Sequence, residues 1–214
     1  MQTGTKSVKP VDKCLVYGER PITELCLTMM TDDDLGHLVR VIELSDGGRI
    51  PFDGRSPPSQ VFVEAPLGRQ FGVVDILLTY DDFSVMCEVK PAAYDSVTKR
   101  IEIQIPRYLD SLKGESSRRQ TALVKLVHAA VLGKMVYLVT MTKDPAFPAK
   151  LRSFYNRLKP PNTVSLGWVG YDLLSDILER EGYVIEGVSP NIWSRKRPLH
   201  KEENESISVL QSQN

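Results

Sequence analysis

Two apolar, β-branched runs joined by an acidic pair constrain this chain most: Val73 to Tyr80 and Phe83 to Lys90, separated by Asp81-Asp82. Runs of this length and composition read as strands, and the two-residue polar link reads as a hairpin. Side chains alternate across a strand. Ser84, Met86, Glu88 and Lys90 therefore share one face, and Val85, Cys87 and Val89 the other. Asp75 is embedded in Val73-Val74-Asp75-Ile76-Leu77-Leu78, where a carboxylate is unfavourable unless paired or bound to metal. Antiparallel pairing puts position 75 opposite about position 88, with cross-strand neighbours about 5 Å apart.

The flanking segments supply the rest of an α/β layer structure. Pro21 to Met30 suits a short helix. Leu35, Leu38, Val39 and Ile42 recur at i, i+3, i+4, i+7, the stripe of a second helix. Thr31 suits its cap, and Asp32, Asp33 and Asp34 its first turn, where the helix dipole favours negative charge. Capping explains that acid triplet more simply than metal binding does. Ser45 to Gln60, rich in Gly, Pro, Ser and Asp, reads as a long loop, mobile or functional. Val61 to Glu64 precedes the hairpin as a further strand. Helices are expected over Ser96 to Leu112 and Thr121 to Leu132, then strands over Met135 to Met141 and Val164 to Val169. Asp172 opens a last helix with Leu173, Leu174, Ile177 and Leu178 inward, ended by Gly182. The order predicts a mixed central sheet flanked by helices. We expect an irregular segment over 1–20, a single domain over 21–190 and a disordered tail over 195–214.

A metal site follows as an expectation. Two carboxylates about 5 Å apart repel unless a divalent cation lies between them. Mg²⁺ takes oxygen ligands and keeps several waters, and Asp75, Glu88 and the Val89 carbonyl are the protein candidates. A metal-activated water would attack a phosphodiester, with Lys90 orienting it or stabilising the charge that develops. The bland alternative is an interstrand ion-pair cluster in which Lys90 pairs with Glu88 or Asp75. Downstream, Gln104 and Tyr108 stand four apart, on one face of a helix.

Together, Gly72-Val73-Val74-Asp75, Glu88-Val89-Lys90 and Gln104-x-x-x-Tyr108 resemble the PD-(D/E)XK nuclease superfamily. The nearest branch is that of lambda-type exonucleases and bacterial recombination nucleases, which carries a QxxxY helix. The resemblance implies a restriction-endonuclease-like fold and a magnesium- or manganese-dependent hydrolase acting as a nuclease on DNA more than RNA, endonuclease or exonuclease. It implies Asp75 and Glu88 as metal ligands, Lys90 as the catalytic lysine, and Gln104 and Tyr108 as groups orienting substrate. Arg107 becomes a phosphate contact. Glu24 becomes a further ligand, in competition with Glu64. Two departures stand out: Val74 replaces the proline of the family name, and Pro106 sits inside the QxxxY segment. The competing expectation is a catalytically inactive nuclease-fold module that binds nucleic acid or a protein partner.

Charge bears on the binding surface. The chain has 27 basic and 27 acidic side chains, but residues 19–89 hold 5 basic and 13 acidic ones, and residues 90–159 hold 14 and 5. Arg107, Arg118, Arg119, Lys150, Arg152 and Arg157 are the candidate nucleic-acid contacts. Phe154 and Tyr155 lie within the last cluster, as stacking platforms or as core. The tail carries Arg195-Lys196-Arg197. Trp168, Trp193 and Cys87 read as packing residues. Three widely spaced cysteines and three unclustered histidines argue against a disulfide framework and a structural zinc site. No P-loop, GxGxxG or GxSxG motif is present. A soluble, cytoplasmic protein (nuclear if eukaryotic) is expected, with no membrane partner and with a homo-oligomer or a partner subunit for specificity.

Overall fold

A computed structural model describes residues 14–16, 30–113, 121–172, 174, 176 and 183–185. Within these, the elements run β1 (Cys14–Val16), α1 (Asp32–Val41), β2 (Glu43–Leu44), β3 (Gln60–Gly68), β4 (Gly72–Thr79), β5 (Phe83–Lys90) and α2 (Tyr94–Leu112). They continue with α3 (Ala122–Val131), β6 (Met135–Thr142), α4 (Ala149–Arg157), β7 (Val164–Gly170) and β8 (Tyr183–Ile185). The main sheet has six strands in the order β2-β7-β6-β5-β4-β3, and β1 and β8 form a separate parallel pair. β5, β6 and β7 are parallel, whereas β3, β4 and β5 form an antiparallel meander and β2 runs antiparallel to β7. The mixed sheet flanked by helices is the architecture expected from the sequence.

The hairpin closes as the sequence implies. Thr79 pairs with Ser84, and the Tyr80 amide donates to the Phe83 carbonyl across Asp81-Asp82. Thr31 caps α1 through a reciprocal capping box with Asp34, so the acid triplet is a helix start. α2 begins at Tyr94 and continues through Pro106 without a break, keeping Gln104 and Tyr108 on one helix. α4 is not among the elements read from the sequence. Its mean hydropathy is low, yet Leu151, Phe154 and Tyr155 are buried at i, i+3, i+4. Phe154 and Tyr155 are thus core residues, which overturns the stacking-platform reading.

Two cores sandwich the sheet. On one face α1 packs Leu35, Leu38 and Val39 against Ile76, Leu78, Val85, Cys87 and Val139. On the other, α2, α3 and α4 pack Ile105, Tyr108, Val127 and Leu151 against Val74, Leu77, Met86 and Leu138. Cys87 lies in the first core, and burial pushes its thiol up well above the usual range. The 45–59 loop is tied down. Phe52 packs tilted against Tyr80 and edge-on against Phe83, and Gly54 sits so close to Gly36 of α1 that a Cβ at 36 would meet the Gly54 carbonyl at 3.1 Å. Of the expected last helix, residues 172, 174 and 176 are helical and Leu174 is buried. Residues 21–29 of the expected Pro21–Met30 helix and the 195–214 tail lie outside the described residues, and Met30 itself is not helical. No helix among the described residues is long and apolar enough to cross a membrane.

Candidate functional site

The site forms where β4 and β5 part company. The β3–β4 register pairs Val63 with Ile76 and Ala65 with Val74, leaving Glu64 facing Asp75. Glu64 has φ 51°, a left-handed conformation uncommon outside glycine. Strand faces reverse at this point. Phe62, Ala65 and Leu67 all pack on the α2–α4 side, as do Val74 and Leu77, although regular alternation would separate them. The β4–β5 ladder extends as far as the Ile76–Cys87 pair. Beyond it the Asp75 carboxylate replaces a ladder carbonyl, and its Oδ2 accepts the Val89 amide at 2.7 Å.

Glu88 and Lys90 keep their strand parity and point to the α2–α4 side with Met86. They are 1 % and 3 % exposed. Lys90 Nζ forms an ion pair with Glu88 Oε1 and lies 3.2 Å from the Val89 carbonyl. The Tyr108 hydroxyl lies 2.6 Å from Glu88 Oε2 and 2.7 Å from the Val73 carbonyl, donating between them. Both Glu88 oxygens are therefore engaged by protein donors. Burying two ions costs several kcal/mol each by desolvation, and a compact pair with further hydrogen bonds offsets that loss. Gln104 Oε1 is buried on the same helix face as Tyr108, with no hydrogen-bond partner among the described residues.

The structure thus brings Asp75, Glu88, Val89, Lys90 and Tyr108 together, as the sequence indicates, but it joins them to one another. The ion-pair alternative is what the geometry holds. Among the described residues there is no group of three or more His, Cys, Asp or Glu side chains that could hold a metal ion. The expected Mg²⁺ or Mn²⁺ site, and with it the metal-dependent nuclease, hydrolase and endonuclease activity, is corrected on that ground. The physical reason is the occupancy of the would-be ligands. The Glu88 oxygens are taken by Lys90 and Tyr108, Asp75 by the Val89 amide, and the Val89 carbonyl by Lys90. Glu24, Arg118 and Arg119 lie outside the described residues.

Sequence reading missed a second polar stripe beside the first. On β6, Thr140 pairs with Glu88 and Thr142 with Lys90. The Thr140 hydroxyl hydrogen-bonds to the Tyr155 hydroxyl. Trp168 Nε1 donates to Thr142 Oγ1 at 2.8 Å, and Thr142 Oγ1 donates to Asp144 Oδ2 at 2.7 Å. Asp144 Oδ2 also accepts the Tyr94 amide at 2.8 Å, capping α2 from a distant segment where Ala93 offers no side chain to do so. The signal was present: threonines two apart in an otherwise apolar strand.

The remaining basic candidates lie on the helical layer. Arg107 is exposed on α2 with Lys99 and Arg100. On α4, Lys150 pairs with Asp95 at 2.9 Å, Arg152 pairs with Glu43 and stacks 4.5 Å over Phe147, and Arg157 sits 5.9 Å from the Phe154 ring centre. The acid triplet belongs to α1 on the opposite face of the sheet.

No family model matches the sequence, and no curated protein matches it. Among solved structures, the chain has a distant similarity to the small subunit (R.BspD6I2) of the heterodimeric restriction endonuclease R.BspD6I. That similarity has a TM-score of 0.35 and 14% identity, over 89% of this chain and 88% of that one.

Proposed function

We propose that this chain is a non-catalytic module on a nuclease-like scaffold that binds nucleic acid through its α2–α4 face. The observation that carries this reading is the closed centre. The carboxylate best placed to hold a metal has one oxygen on Lys90 and the other on Tyr108, inside the core. The binding surface is the helical layer above it, where Lys99, Arg100, Arg107, Lys150 and Arg157 are exposed, with Lys143 and Lys159 exposed on the adjoining loops. Cations spread over one face attract a phosphate backbone and release its counterions, so affinity falls steeply with salt. Arg152 contributes less, because Glu43 and Phe147 hold its guanidinium.

Fluorescence anisotropy with labelled DNA and RNA tests this. Binding is expected to be salt-dependent, unchanged by EDTA, and without strand cleavage in any divalent metal. A combined Arg107→Glu and Lys150→Glu variant is expected to bind at least tenfold more weakly. Equal binding by that variant, or cleavage abolished by Glu88→Gln, contradicts the reading. A protein partner is the second reading, and one observation favours it. Leu123 and Leu126 on the outer side of α3, and Leu132 just after it, are exposed. Exposed leucines grouped on one helix are the mark of a contact surface.

A further inference from the structure

β3 is the last strand of the six-stranded sheet, and among the described residues no strand pairs with its outer edge. Such an edge offers backbone amides and carbonyls to a further strand, and natural edges are guarded by charge, proline or a bulge. In β3 those guards, the positive φ of Glu64 and Pro66, come only after Gln60-Val61-Phe62-Val63, four residues without charge. The same stretch is open above the sheet. Val61 and Val63 pair with Leu78 and Ile76, members of the core on the α1 side, yet they are 43% and 39% exposed. Val73 of β4, whose neighbour Val74 points to the opposite core, adds a third exposed valine on the α1 side. Residues 186–214 lie outside the described residues. Within them, Ser206-Ile207-Ser208-Val209-Leu210-Gln211 places Ile207 and Val209 on one face and Ser206, Ser208 and Leu210 on the other. This is the period of a strand, hidden in the polar composition by which the whole tail reads as disordered. The 20 residues from 186 to 205 reach about 65 Å when extended. That spans a folded chain of this size, whose radius of gyration is about 17 Å.

We propose that residues 206–211 add to the outer edge of β3 as an antiparallel seventh strand of the same molecule, with Ile207 beside Val63 and Val209 beside Val61. Residues directly opposite each other share a face. Ile207 and Val209 therefore cover the open valines, and Ser208 and Leu210 fall on the side of Phe62. Main-chain hydrogen bonds supply the attachment, and the alternate apolar side chains supply the register. Charge sets the direction. Antiparallel pairing carries Glu202, Glu203 and Glu205 past Pro66 toward Arg69, which is exposed in the turn between β3 and β4. At the other end of β3 the exposed Arg55 is offset by the exposed Asp53. The tether keeps the segment at a high effective concentration, so a short edge suffices where a separate peptide would bind weakly.

Hydrogen–deuterium exchange of the full chain, read by mass spectrometry, tests this. Alternate amides of 206–211 and the outward amides of 60–63 are expected to exchange at least tenfold more slowly than those of an unstructured peptide. The paired substitution Ser208→Pro, Val209→Pro removes one amide from each edge of the added strand. It is expected to release both segments together while α1 and β5 keep their protection. Free exchange throughout 206–211 in the natural sequence, or protection there that the paired substitution removes without changing 60–63, overturns the proposal. A Val63→Cys, Ile207→Cys variant gives a second measurement. Mild oxidation is expected to close an intramolecular disulfide in a monomer, since cross-strand neighbours stand within bonding range. A disulfide-linked dimer alone places the tail on a second copy and overturns the intramolecular seat, and the absence of any 63–207 disulfide overturns the pairing. Neither measurement involves nucleic acid, so its failure leaves the function proposed above standing.

Discussion

Lys90 with Glu88 and Lys150 with Asp95 are the same chemical pair in two settings. The first has side chains 4% and 1% exposed, and the second 73% and 70%. In the core, water cannot replace a lost partner, so each member of the Glu88–Lys90 pair depends on the other and on Tyr108. On α2 and α4, water solvates either ion alone. The contrast separates two kinds of work done by charge in this fold. Buried charge fixes the place where β4, β5 and α2 meet, and surface charge remains available to an external phosphate.

The largest expected effect comes from breaking the buried pair. Lys90→Met removes the counter-charge of the buried Glu88 carboxyl, and should destabilise the fold by roughly 3–5 kcal/mol in urea unfolding. The double variant Glu88→Gln, Lys90→Met removes both charges and should recover much of that loss, because replacing a whole buried pair is often close to neutral. A double variant no more stable than Lys90→Met would refute the pairing. Asp75→Asn follows in size. It weakens a charge-assisted hydrogen bond to the Val89 amide, for which about 1.5–3 kcal/mol is the usual range.

Alkaline titration is the next way to sharpen the contrast, since it charges groups the fold keeps neutral. Tyr94 is pushed up to about 12, first by burial and then by the negative charge of Glu102. Tyr80 is also pushed up to about 12, by burial and then by Asp32. A phenol whose folded value is raised contributes stability that is complete below its unfolded value of about 10 and is lost as pH rises through the folded value. Stability should therefore decline from about pH 10 to 12, and Tyr94→Phe should flatten part of that decline. The smallest effect is expected at the surface. Asp95→Asn should change stability by about 0–1 kcal/mol while leaving Lys150 to contribute to nucleic-acid binding.

Much of this architecture was legible in the residues. The hairpin at Asp81-Asp82, the cap at Thr31 and the Gln104–Tyr108 helix each follow from local pattern, and each is observed. The nearness of Asp75, Glu88 and Lys90 was legible in the hairpin pairing, whereas Tyr108 was joined to them only by the resemblance. What they do together was not legible. A Glu two residues before a Lys is compatible with a shared metal or with a direct ion pair, and the choice depends on the facing strand. The reversal of strand faces at Glu64 and Asp75 has no signature in alternation, and it is what ties Asp75 to the Val89 amide. Asp144, capping α2 from fifty positions away, is a tertiary contact that no local window contains. α4 was missed because its polar residues mask a short apolar stripe of Leu151, Phe154 and Tyr155.

The central claim is that Glu88 is committed to Lys90 and Tyr108 and does not serve a divalent cation. Calorimetric titration of the full chain with Mn²⁺, in parallel with Glu88→Gln and Asp75→Asn variants, addresses it most directly. The account predicts no saturable heat attributable to Glu88 or Asp75, and matching traces for the three proteins. A stoichiometric binding isotherm in the natural sequence that disappears in both variants would contradict it.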